Sequence, residues 1–178
     1  MKRGTHRNFL IALGCWLAMP FMAVAAPVEA HAAAAENYVK GLIGKWRGGG
    51  TVEVSARGRK MRLRCVTTNA LRKSTRTLTM RGRCATSSGT RSLTGSIRYS
   101  SDGKRITSVS MRMAGRTSSG GSFRGGKLFV TGSGRDEDTG RTIAGRSIIS
   151  GGGRAYSVTI QSRPNSKWKT SGVLSFRK

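Results

Sequence analysis

Beyond residue 31 the chain has no histidine, because His6 and His31 are its only two. Everything downstream therefore lacks the commonest general base and the commonest metal ligand. Acids are scarce, with 7 Asp+Glu against 33 Lys+Arg. Three of them stand together as Asp136-Glu137-Asp138 between Arg135 and Arg141, which reads as a solvated, self-neutralised turn and not as a cation site. No transition-metal constellation is present, and no Gly-rich segment has the spacing of a phosphate-binding loop. Serines are abundant, but none has a histidine to activate it. The chain is expected to have no catalytic centre, no metal and no cofactor. Aromatic residues make up 6% of the chain, and a core claims several of them, so few remain to stack on bases. After the first 26 residues no apolar run is long enough to cross a membrane as a helix.

That first run belongs to a recognisable leader. A basic stretch, Met1-Lys2-Arg3-Gly4-Thr5-His6-Arg7, precedes apolar residues from Phe9 to about Ala26, and Ala30-x-Ala32 supplies small residues for a cut. This order predicts a secretory signal peptide over residues 1–32 and a single domain over 33–178, exported to the periplasm or secreted. Cys15 would leave with the leader. Cys65 and Cys84 remain, an even pair in an oxidising compartment, which predicts one disulfide.

Charge is the strongest compositional signal. The whole chain carries +26. Setting aside Lys2, Arg3, Arg7 and Glu29 leaves 30 cations against 6 acids, or +24. Such a field attracts polyanions. Arginine dominates, and its planar fork suits phosphate and carboxylate.

From residue 33 to Ile43 a weak amphipathic stripe (Tyr38, Val39, Leu42, Ile43) predicts a short helix. After Gly44 the apolar residues repeat every second position, as in half-buried strands. Strands are expected over about 45–55, 59–66, 77–84, 90–100, 104–114, 127–131, 142–149, 155–161 and 169–177. Turn residues separate them, among them Ser118-Ser119-Gly120-Gly121 and Gly151-Gly152-Gly153. Eight or nine short strands at regular spacing indicate an all-β antiparallel barrel with a short helix before it.

Two registers follow. Ser101-Asp102-Gly103 suits a three-residue hairpin loop with Gly103 left-handed, which pairs Tyr99 with Arg105, Ile97 with Thr107 and Leu93 with Met111. Setting Cys65 opposite Cys84 puts Met61, Leu63 and Met80 on the cysteine face. The opposite face then carries Lys60, Arg62, Arg64, Arg81 and Arg83, close enough across the strands to repel one another unless anions visit. These five are the candidate anion-binding residues.

The segment Gly44-Lys45-Trp46-Arg47-Gly48-Gly49-Gly50 resembles the Gly-x-Trp signature of lipocalin-like (calycin) barrels. The resemblance implies that Trp46 plugs one barrel end beneath a basic residue of the last strand. Arg177 or Lys178 stands in range, and Arg177 is the expected partner. Together with Arg64-Cys65 and Cys84, the pattern also resembles that of small secreted alphaproteobacterial β-barrel proteins of unknown function, over Gly44 to Gly103. Calycin barrels imply an interior that holds apolar ligands. The functional expectation from charge is binding of anionic envelope polymers or lipids (lipopolysaccharide, acidic polysaccharide, anionic lipid head groups) through the Arg-rich face, with nucleic acid ranked behind them. The alternative is carriage of a small apolar ligand inside the barrel.

Overall fold

The structure is a computed structural model that describes residues 34–178 except 56, 114, 115, 137 and 165. The leader expected over residues 1–32 lies outside the described residues. A helix, α1 (Ala34–Gly41), precedes ten strands: β1 (Gly44–Glu53), β2 (Lys60–Arg72), β3 (Thr77–Thr86), β4 (Gly89–Tyr99), β5 (Ile106–Met113), β6 (Arg116–Arg124), β7 (Lys127–Arg135), β8 (Thr142–Gly152), β9 (Ala155–Arg163) and β10 (Lys169–Arg177). Each strand pairs antiparallel with its sequence neighbour, and β1 pairs with β10, so the sheet closes into one up-and-down barrel. Closure gives each described strand a partner on both sides, the β5–β6 ladder being short, Ser110–Met113 against Arg116–Ser119.

Ten strands form where eight or nine were expected, and β6 makes the difference. Its sequence, Arg-Thr-Ser-Ser-Gly-Gly-Ser-Phe-Arg, has no apolar alternation and contains the residues expected to turn. Instead it pairs with β7 through a shift between Ser118 and Gly121. Pairing on both sides determines this strand. A Cβ at Gly121 would lie 2.7 Å from the Phe129 carbonyl, so a side chain there would push β7 away.

Alternation works elsewhere. β2 alternates exposed Lys60, Arg62, Arg64, Val66 and Thr68 with inward Leu63, Cys65, Thr67 and Asn69. The run Gly48-Gly49-Gly50 has a steric cause. A Cβ at any of the three would sit 2.0 Å from a carbonyl oxygen of the flanking strands, Ser175, Leu63 or Val173 in turn. Only glycine lets β1 pass this close between β2 and β10.

The β4–β5 hairpin corrects the expected register by two residues. Ile97 faces Val109 and Leu93 faces Met113, with an irregularity that leaves Tyr99 against Ile106. An even shift preserves the faces, so Ile97 and Val109 remain buried. Gly103 is left-handed as expected, at φ 69°. Its carbonyl accepts the amides of Ala35 and Glu36 at 3.1 and 3.0 Å. The loop is thus shaped to receive the start of α1.

That docking lets α1 close one end of the barrel. The Tyr38 hydroxyl donates to the Ile149 carbonyl at 2.8 Å, and the Gly153 amide donates to the Gly41 carbonyl at 2.8 Å. Beneath the helix, Leu42, Trp46, Leu78, Ile97, Leu128 and Leu174 are buried.

Candidate functional site

The outer face of β2 and β3 is built by pairing. Cys65 lies opposite Cys84 and is bonded to it, with the Cα atoms 4.0 Å apart. The side chains before and after each cysteine therefore point outward. Lys60, Arg62, Arg64, Arg81 and Arg83 are all exposed on that surface.

Two further cations join them. Arg47 on β1 is paired with Val66 on one side and Arg177 on the other, and all three are exposed. Arg177 is therefore an outward cation and not the cover of Trp46. Phe176 points into the barrel, so the next residue must point out and the one after it back in. Lys178 takes the expected place, with its ammonium 4.9 Å from the Trp46 ring centre. The extension through Arg47 was within reach of the sequence: Trp46 inward forces Arg47 outward. Its meeting with Arg177 needed the closure of the barrel.

The acidic turn differs from its expectation. Asp136 is only 3% exposed. Its Oδ1 accepts the amides of Asp138 and Thr139 at 3.1 and 2.7 Å and the Thr139 hydroxyl at 2.8 Å. Asp138 pairs with Arg59 at 3.4 Å. Asp136 is a buried organiser of its loop, because a short side chain that accepts local amides satisfies the turn.

Inside the barrel is a cavity of about 300 Å³ that opens at the end away from α1. Met61, Leu63, Met80, Leu93, Val158 and Ile160 line much of its wall. Its mouth is polar. Arg135, Arg146, Gln161 and Lys169 line it, and Lys169 pairs with Glu53 at 2.9 Å.

Its floor is rigid. Tyr156 stacks on Phe176 and meets Trp46 edge-on, each with ring centres 4.7 Å apart. The Trp46 Nε1–H and the Asn69 Nδ2–H both donate to the Leu42 carbonyl at 2.9 Å. Thr67 and Asn69 complete the floor beside the Tyr156 hydroxyl. Burial pushes the Tyr156 phenol above its usual range, with Thr67 and Asn69 acting the other way, so it stays protonated at neutral pH. Sequence reading missed these residues. Thr67, Asn69 and Tyr156 sit at inward positions, but period two alone does not show that they meet.

No protein-family model matches the chain, and no curated protein matches it. Among solved structures it is similar to the S-type phycobiliprotein lyase CPES from Guillardia theta, with 10% identity, a TM-score of 0.50, and coverage of 80% of this chain and 92% of that one. At this identity the likeness is one of fold. The chain is an antiparallel β-barrel that shares its fold with that lyase.

Proposed function

We propose that the barrel carries a small, mostly apolar ligand in its interior. The observation that carries this reading is the cavity of about 300 Å³, walled by Met, Leu, Val and Ile side chains and open at one end. Barrels of about eight strands have room only for their own side chains or one small ligand, so ten strands leave space. Cavities half this size with apolar walls take up benzene, and methionine side chains adapt to irregular shapes. The Cys65–Cys84 bridge supports an oxidising compartment, and with it the expected export.

Naphthalene binding, followed by calorimetry, tests the proposal. Leu93 is buried and lines the cavity. Leu93→Trp should fill it and weaken binding at least tenfold while the protein remains folded by circular dichroism. Equal affinity in the two proteins, or none in the unaltered protein, sinks the reading.

A second reading rests on the outer cations. Lys60, Arg62, Arg64, Arg81 and Arg83 all face solvent on adjacent strands, and Arg47 and Arg177 extend them. This supports binding of anionic lipids or polysaccharides through several charge-assisted contacts. The two readings use opposite faces of the same wall and do not exclude each other.

A further inference from the structure

We infer that the outer face holds a site for one phosphate monoester group, in the recess at Gly49. This rests on the outer-cation reading and names the group that those cations take. Trp46 and Val52 face inward, so Arg47, Gly49 and Thr51 face out from β1. Gly49 has no side chain, and the surface dips there into a recess whose lining includes Gly49, Thr51, Arg62 and Arg64.

Register decides what borders the dip. Arg64 lies directly opposite Gly49, and Arg62 lies opposite Thr51. On the other side of β1, Ser175 lies opposite Gly49. Arg47 is the next outward residue along β1, and Arg177 faces it directly. Four guanidinium groups and the exposed hydroxyls of Thr51 and Ser175 therefore surround the recess, and every one of them can donate. Among the described residues none of these four arginines is ion-paired. Glu53, the acid of β1, is held by Lys169 at 2.9 Å. Like charges directly opposite in a sheet repel, so an anion beside Arg47 and Arg177 relieves a cost that the protein leaves uncompensated.

A phosphate monoester matches this border in charge and in shape. It carries about 1.5–2 negative charges at neutral pH and three acceptor oxygens. Each guanidinium can hold two oxygens side by side, so Arg62 and Arg64 can share the three. A diester has one charge, two free oxygens and a substituent on either side. A carboxylate has one charge and two oxygens. The recess favours terminal phosphate, carried by a lipid head group or by a small soluble molecule.

Two lipids separate the monoester from charge in general. Phosphatidylcholine vesicles receive either phosphatidic acid, a monoester, or phosphatidylglycerol, a diester, in proportions that give equal surface potential. The full chain should bind the phosphatidic acid vesicles about tenfold more tightly. Arg62→Gln with Arg64→Gln should bring that preference below twofold. Arg81→Gln with Arg83→Gln removes the same charge from β3, two strands from Gly49. It should weaken binding to both vesicles and keep the preference. Both variants should keep the circular dichroism spectrum, since all four residues are exposed. Calorimetry with glycerol 3-phosphate identifies the source. Binding that depends on Arg62 and Arg64 means that phosphate alone suffices, and a preference confined to vesicles means that the lipid is required; either supports the site. Equal affinity for the two vesicles would overturn the inference and leave the outer-cation reading standing. So would an equal loss of preference in the two double variants. Binding to neither vesicle would end both.

Discussion

The ammonium of Lys178 lies 4.9 Å from the centre of the Trp46 ring, on a side chain that is otherwise exposed. Trp46 itself is fully buried, and its N–H is held by the Leu42 carbonyl. A cation over an indole contributes about 0.5–1 kcal/mol at an exposed site. Urea unfolding should therefore show Lys178→Gln less stable by about that amount. Arg177→Gln should change stability by less than about 0.5 kcal/mol, because Arg177 points to solvent. The opposite order would restore Arg177 as the cover. That a basic residue near the C-terminus covers the tryptophan is what the calycin resemblance implied. Which one it is depends on strand parity at Phe176.

Hairpins are the next scale, and the β2–β3 hairpin has the clearest energetics. Its disulfide joins residues 19 apart and directly opposite in register. In the chain-entropy account such a closed loop contributes roughly 3 kcal/mol. For a domain of this length each kcal/mol moves the melting temperature by about 2–4 °C. The double variant Cys65→Ala, Cys84→Ala should melt roughly 10 °C lower and keep its β-sheet circular dichroism spectrum. An unchanged melting temperature would mean that the bridge stabilises nothing. Elements with a strong two-residue period, β2 and β3 above all, were readable from their apolar spacing. β6 was not, because Ser118, Ser119, Gly120 and Gly121 have little apolar surface to announce an inward face. It becomes a strand because β5 and β7 offer it backbone partners on both sides.

At the scale of the whole molecule the dominant quantity is charge, +26 over the chain. If the β2–β3 face binds anions, retention on phosphatidylglycerol vesicles should fall steeply with salt, by roughly one unit of log–log slope for each anionic contact. Replacing Arg62, Arg64, Arg81 and Arg83 by Gln should flatten that slope by about four units without unfolding the barrel, since all four are outward. Arg98, Arg105, Arg141 and Arg154 are exposed on other parts of the surface and provide the matched control. Equal loss in the two quadruple variants would leave only bulk charge. Naphthalene affinity should be the same in both, because none of the eight residues lines the cavity.

The barrel class, the outward cations of β2 and β3 and the pairing of Cys65 with Cys84 were all determined by the sequence alone. The reason is local: in a strand, successive side chains point to opposite faces, so spacing along the chain states which residues share a side. Which elements become neighbours is a non-local matter. Only closure of the barrel set Arg177 beside Arg47, turned Lys178 over Trp46, and brought Thr67 and Asn69 to the same floor as Tyr156, some ninety positions further along the chain. The cavity has the same origin. Its volume follows from the number of strands that close the sheet, and that number depends on β6, a strand that its neighbours' hydrogen bonds create.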